Sequence, residues 1–241
     1  MNDHEIAASL AEEAGVLLLQ LREVGGPDLK AEGDRRSNEL LLSRLAELRA
    51  DDAVLSEESV DDPLRLDAER VWIIDPLDGT REFGEPPRTD WAVHVALTVN
   101  GSPVAGAVAL PGSGLVLQTG APPELAPAHG GPPRLAVSRT RPPACTQVLV
   151  DAMGASLVEM GSAGAKAMAV VLGDVDVYAH AGGQYEWDSC APVAVAAAAG
   201  LHVSRLDGSP LQYNQPDPYL PDLLICRPEL VDEVLASLAS S

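Results

Sequence analysis

The chain predicts a layered α/β protein, and three observations carry that expectation. Its 241 residues open on helical periodicity. Short apolar runs then end abruptly in acidic residues. An Asn-Gly pair joins two further apolar runs, after which helix and strand patterns alternate. Ile6, Leu10, Ala14, Leu17 and Leu21 recur every three or four residues. They predict an amphipathic helix over 4–24, opened by Asp3 and ended by Gly25-Gly26. A second helix is expected over 35–50, with Asp34 at its N-cap and Leu41, Leu42, Leu45 and Leu48 inward. The period then shortens. Residues 53–56 and 71–74 suit buried strands. Residues 91–99 and 104–110 form a hairpin through Asn100-Gly101, the strongest short hairpin signal. Beyond residue 133, strands are expected over 135–138, 175–180 and 223–226. Helices are expected near 162–172, over 189–199 with Gly200 as the stop, and after Pro228.

Residues 120–133 hold five prolines and three glycines, a composition that suits a connection between two halves. The division expected is 1–131, an N-terminal α+β subdomain, and 132–241, a C-terminal α/β subdomain.

Lys plus Arg number 16 against 36 Asp plus Glu, a formal charge of −20. Such a surface repels nucleic-acid polymers and anionic membranes. A small phosphorylated ligand stays admissible where something local inverts the sign. The sequence holds no run of about 18 apolar residues, so no membrane span is expected. The first residues lack the basic and apolar regions of a secretory leader. Cys145, Cys190 and Cys226 are odd in number and far apart, with no paired spacing, so a cytoplasmic location is expected. Only eight residues are aromatic, so the core must be built mainly from Ala, Val and Leu.

The chemistry lies in three acidic clusters. Glu57-Glu58 follow Val54-Leu55-Ser56. Asp75-Pro76-Leu77-Asp78-Gly79-Thr80 follow Val71-Trp72-Ile73-Ile74. Asp188 stands just ahead of a helix. Carboxylates crowded at a strand end repel one another unless a cation sits between them. All-oxygen ligands favour magnesium, manganese or calcium over zinc. Asp75 and Asp78 can face one centre across a tight turn, with the Leu77 carbonyl as a neutral oxygen between them. Pro76 fixes φ and removes a competing donor. Gly79 allows close backbone approach, and Thr80 begins a turn whose free N–H groups can hold a phosphate.

Taken together, WIIDPLDGTREF at 72–83, LSEES at 55–59 and EWDSCAP at 186–192 resemble the magnesium-dependent, lithium-sensitive inositol monophosphatase superfamily. Arg81-Glu82-Phe83 after the DGT, with Gly161-Ser162-Ala163-Gly164-Ala165-Lys166, is similar to its bisphosphate nucleotidase branch in actinobacterial form. The resemblance implies an αβαβα sandwich of the sugar-phosphatase type. It implies hydrolysis of the 3'-phosphate of 3'-phosphoadenosine 5'-phosphate to AMP and phosphate, a step that serves sulfate assimilation. Two or three Mg2+ ions, replaceable by Mn2+, are implied as cofactors. Glu57, Asp75 and the Leu77 carbonyl would hold one ion, and Asp75, Asp78 and Asp188 a second. Glu58 would stand behind them or hold a third. Thr80, Asp34 and Glu57 would form the catalytic set. Gly79, Thr80, Ser162, Lys166 and Asp188 would touch the substrate. The segment 29–34 is shorter than the family's loop and keeps only its final Asp clearly.

Each residue also has a plainer use. Asp188 alone would serve as a helix cap. Cys190 suits a small buried apolar position better than a nucleophile. Trp187 suits core beside the site, with base stacking as its other use. Lys166 is balanced between substrate binding and solvation. His4, His94, His129, His180 and His202 show no ligand spacing, and His94 reads as structural. The alternative activities are hydrolysis of inositol phosphate or fructose 1,6-bisphosphate. The alternative from another class is an acidic calcium-binding protein, which the absence of an EF-hand spacing disfavours. The partners expected are a small phosphorylated nucleotide and no membrane or nucleic acid. A homodimer stays open.

Overall fold

The computed structural model describes residues 1–128 and 130–240, which leaves His129 outside the described residues. The first sheet orders five strands sequentially: β1 (Ala53–Ser56), β2 (Arg70–Asp78), β3 (Ala92–Val99), β4 (Ser102–Leu110) and β5 (Leu115–Gln118). β1 runs parallel to β2, and the rest is antiparallel. The second sheet comprises β6 (Arg134–Ser138), β7 (Ser156–Met160), β8 (Val177–Tyr185), β9 (His202–Ser204) and β10 (Tyr219–Cys226), in the order β7-β6-β8-β10-β9.

Helices fill the layers between and outside these sheets. On one face of the first sheet lie α1 (Asp3–Val24) and α2 (Leu29–Leu48). A single turn, α3 (Thr80–Phe83), follows β2. α4 (Ala144–Met153) and α7 (Val231–Ala239) cover the outer face of the second sheet. α5 (Ala163–Leu172) and α6 (Glu186–Ala198) fill the middle layer. The result is an αβαβα sandwich.

β2 shows why this layering forms. Trp72 and Ile74 face the α1–α2 layer, while Val71 and Ile73 face the middle layer. Strands buried on both faces read as continuous apolar runs, and each side chain so buried contributes about 1.5–3 kcal/mol.

Several elements differ from the expectation. Asn2, not Asp3, caps α1: its side chain accepts the Glu5 N–H while the Glu5 carboxylate accepts the Asn2 N–H. α2 starts at Leu29 with Asp28 at its N-cap, so Asp34 lies inside the helix. Gly33 lies within this helix at a close approach, where a Cβ would sit 2.9 Å from the Phe83 ring and 3.0 Å from Leu77. β2 carries on through Asp75 to Asp78. α6 begins three residues early, at Glu186. β8 starts two residues late and runs on to Tyr185, and β10 begins at Tyr219. Pro228 opens a 3-10 turn over Pro228–Leu230 rather than α7 itself.

Candidate active site

The acidic segment of β2 reaches the site through an irregularity in its ladder. Along a regular strand, positions 75 and 78 face opposite sides. The pairing of β2 with β3 slips between Asp75 and Asp78. A ladder break of this kind re-aims side chains. Carboxylate oxygens of Asp75, Asp78 and Asp188 consequently lie within 4.8 Å of one another. The turn is fixed by its own bonds. Leu77 N–H donates to Asp75 Oδ1 at 3.0 Å, and Ser37 Oγ on α2 donates to the Pro76 carbonyl at 2.7 Å. Glu57 arrives because the chain beyond β1 stays alongside β2, with Glu57 N–H directed at the Ile74 carbonyl. Asp188 sits in the first turn of α6, where Oδ2 accepts the Tyr185 N–H at 2.7 Å.

Thr80 and Asp34 meet across 46 positions of sequence. Thr80 Oγ1 lies 3.1 Å from Asp34 Oδ1 and 3.2 Å from the Leu77 carbonyl, and can donate to either. Gly79 reaches this turn at φ +85°, where the Trp91 backbone and the Ser162 side chain pack close. Ser162 caps α5 and donates to Asp78 Oδ2 at 2.5 Å. Ala163 N–H donates to Asp78 Oδ1, and Gly164 N–H to Asp78 Oδ2. Lys166 is buried and turned inward, donating to the carbonyls of Gly161 and Ser162, with its ammonium 5.3 Å from the Tyr178 ring centre. Glu58 lies at the rim, exposed.

The electrostatics divide Asp75 from Asp78. Burial pushes the Asp75 carboxyl well above its ordinary value, and Glu57, Asp78 and Asp188 push the same way. Burial also raises Asp78, but the His94 ring beside it and the bonds from Ser162 and the Gly164 N–H outweigh burial and hold the carboxyl at about 2. Burial and then Asp188 lift Glu57 to about 7; much of the side chain is exposed, yet its head is crowded by the cluster. Asp188 also rises to about 7, through burial and then Asp78. Burial and Glu58 raise Asp34 to about 6, against the Thr80 bond. Carboxylates crowded in this way form a hard oxygen donor set that fits a divalent cation.

His94 has a larger place here than its sequence suggested. Its ring is fully buried, with Nδ1 3.0 Å from the Trp187 carbonyl and Nε2 3.2 Å from Asp78 Oδ2, at ion-pair range without straight hydrogen-bond geometry. Burial opposes its charge, and Asp78 overrides that and raises its pKa. Gly164 makes room for the ring, since a Cβ there would overlap Nε2. No spacing pattern pointed to this contact. Cys190 is fully buried, and burial pushes its thiol well above the usual range.

From the cluster a cavity of about 510 Å³ opens. Asp78, Asp188 and Ser162 line one part of it, and residues 138–141 at the end of β6 another. A two-sheet α/β sandwich that brings such a carboxylate cluster to an open cavity has the donor set for hydrolysis assisted by a divalent cation. The chain belongs to the inositol monophosphatase family, whose profile matches residues 5–123 and 133–240. It is 54% identical over 244 aligned residues to a Mycobacterium bovis protein named 3'-phosphoadenosine 5'-phosphate phosphatase, covering 95% of this chain and 90% of that one. A Mycobacterium leprae protein of the same name is 53% identical, covering 98% and 93%. In three dimensions the chain resembles inositol monophosphatase II from Staphylococcus aureus, with a TM-score of 0.83, 21% identity and coverage of 99% and 96%. That likeness is one of fold.

Proposed function

We propose that the protein is a Mg2+-dependent phosphatase that removes the 3'-phosphate of 3'-phosphoadenosine 5'-phosphate, giving AMP and phosphate. In the cell this would clear a by-product of sulfate assimilation. The observation that carries the reading is the meeting of Asp75, Asp78 and Asp188, of which Asp78 and Asp188 line the cavity, together with the Thr80–Asp34 pair. The names of the mycobacterial relatives support the choice of substrate.

Glu57, Asp75 and the Leu77 carbonyl would hold one Mg2+, and Asp75, Asp78 and Asp188 a second. Glu58 would stand behind them or hold a third, and Mn2+ suits the same oxygens. When bound, the cations neutralise phosphate charge and make an attacking water more acidic. Thr80, with its own proton directed to Asp34 Oδ1, offers its oxygen to that water and so orients it. Asp34, at about 6, and Glu57, at about 7, can take a proton near neutral pH. The N–H groups of Gly79 and Thr80 hold the scissile phosphate, and Ser162 and Asp188 flank the substrate. Lys166 contributes positive potential to this wall; its ammonium is occupied by the two carbonyls.

We extend the proposal to organisation and setting. The chain divides at 131/132, a reading supported by the Pro- and Gly-rich connection between the two sheets. The cytoplasm is supported by three free cysteines, and no helix among the described residues is long and apolar enough to cross a membrane. Light scattering would test assembly as a homodimer.

The deciding experiment compares kcat/KM for 3'-phosphoadenosine 5'-phosphate, inositol 1-phosphate and fructose 1,6-bisphosphate with Mg2+ present. The bisphosphate nucleotide is expected to lead by at least about tenfold. A lead by either sugar phosphate would overturn the choice of substrate.

A further inference from the structure

The cavity wall farther along from the carboxylates has a chemistry that hydrolysis of a lone phosphate does not require. In a chain of net charge −20, four of the 16 basic residues line this one cavity: Arg81, Arg139, Arg141 and Lys166. Three are already engaged. Arg81 pairs with Glu85 at 3.2 Å. Arg139 pairs with Glu82 at 2.6 Å and Glu85 at 3.1 Å. Lys166 donates to two carbonyls. Among the described residues lining the cavity, Arg141 is the one cation whose side chain has neither a hydrogen bond nor an ion pair.

Its placement is built into the fold. Ser138 ends β6, and its hydroxyl accepts the Thr140 and Arg141 N–H groups at 3.4 and 3.2 Å. That hydroxyl shapes the turn carrying Arg141 to the cavity. Across from it stands His180, bound through Nε2 to the Gly182 carbonyl. Burial drives the imidazole down to about 4, and the charges of Lys166 and Arg141 help, so at neutral pH it is uncharged and does not compete for an anion. A second observation points to a ligand in this region. Gln184 is 2% exposed and lines the same cavity; its Nε2 donates to the Tyr178 hydroxyl, while Oε1 has no partner. A buried acceptor left unpaired is costly, and a donor on a nucleoside would remove that cost.

We propose that Arg141 is the specificity-determining residue of this enzyme, seating the second, non-reacting phosphate of a nucleoside 3',5'-bisphosphate on the wall formed by residues 138–141. A guanidinium matches a phosphate dianion in two-point geometry. The seat also explains how one polar wall favours an anion in a strongly acidic protein. This inference rests on the bisphosphate nucleotide reading above and adds the residue that selects for it.

The test uses the full-length enzyme with Mg2+ and the variants Arg141→Ala and Arg141→Lys. Two readouts are taken: the ratio of kcat/KM for adenosine 3',5'-bisphosphate over adenosine 3'-monophosphate, and the inhibition constant of AMP. Loss of a charge-assisted pair predicts that Arg141→Ala lowers the ratio about ten- to a hundredfold and weakens AMP by a similar factor, with Arg141→Lys in between. Arg141 is exposed, so its variants are expected to keep the wild-type melting temperature. An unchanged ratio with unchanged AMP inhibition would overturn the Arg141 assignment alone. A wild-type enzyme that does not prefer the bisphosphate would overturn the substrate reading and this seat together.

Discussion

The cavity has two unlike walls, and the contrast between them explains how a −20 protein handles a phosphate ester. At one wall stand Asp78 and Asp188, whose oxygens crowd within 4.8 Å of those of the buried Asp75 behind them. At the other, residues 138–141 bring Arg139 and Arg141 beside a neutral His180. The acidic wall gains its affinity for phosphate only through cations, whereas the basic wall has it from the start. The first is therefore conditional on metal and pH, and the second is constitutive. The general charge of the chain bears on neither.

The largest effects are expected from breaking the acidic wall. Asp75→Asn removes a carboxylate that both proposed cation positions share, and activity should fall by at least about a hundredfold. The same change relieves repulsion from Glu57, Asp78 and Asp188, so the metal-free variant should melt above the metal-free wild type. Retained activity, or a lower melting temperature, would show that Asp75 serves the fold rather than the cations. Next comes the Thr80–Asp34 pair, proposed to orient the water. Thr80→Ala and Asp34→Asn should each lower kcat by about 10²–10⁴-fold, and the double variant by little more than either single one. Additive losses in that cycle would separate the two residues.

A smaller effect follows from pH. Glu57 and Asp188 sit at about 7 and Asp34 at about 6 in the folded state, above their unfolded values. Raised carboxyl groups favour the fold while protonated, so this contribution is complete below about pH 4 and is lost as pH rises through 6–7. In excess chelator, differential scanning calorimetry should show Tm falling between pH 5 and 8. Mg2+ should restore it, and by more at pH 8 than at pH 5, because cations displace protons from these groups. A chelated protein whose Tm rises over that interval would break the account. The Arg141 variants form the counterpart at the basic wall, where no such metal dependence of fold stability is expected.

How much of this was legible in the sequence differs between the walls in the same way. The acidic wall is spelled out locally: Asp75 through Thr80 lie in one hexapeptide, and Glu57 and Asp188 follow or precede recognisable elements. The Asn100-Gly101 hairpin was equally plain. Asp34 as the Thr80 partner came from resemblance, while its expected capping role failed because the packing of Phe83 and Leu77 against Gly33 carries α2 through that glycine. The basic wall was not legible. Arg139 and Arg141 follow an ordinary short strand, and only the pairing of β6 with β8 brings them near His180. His94 was hidden for a similar reason: its partners Asp78 and Trp187 are set by β2–β3 pairing and by α6, not by spacing. Helix α4 and strands β5, β7 and β9 were not legible either, each of the three strands being a short edge strand.

The most direct test of the central claim is anomalous diffraction from crystals grown with Mn2+ in place of Mg2+. Strong peaks are expected bounded by the carboxylates of Asp75, Asp78 and Asp188, with Glu57 and the Leu77 carbonyl as further ligands. Ordered Mn2+ elsewhere on the protein, with none at this cluster, would contradict it.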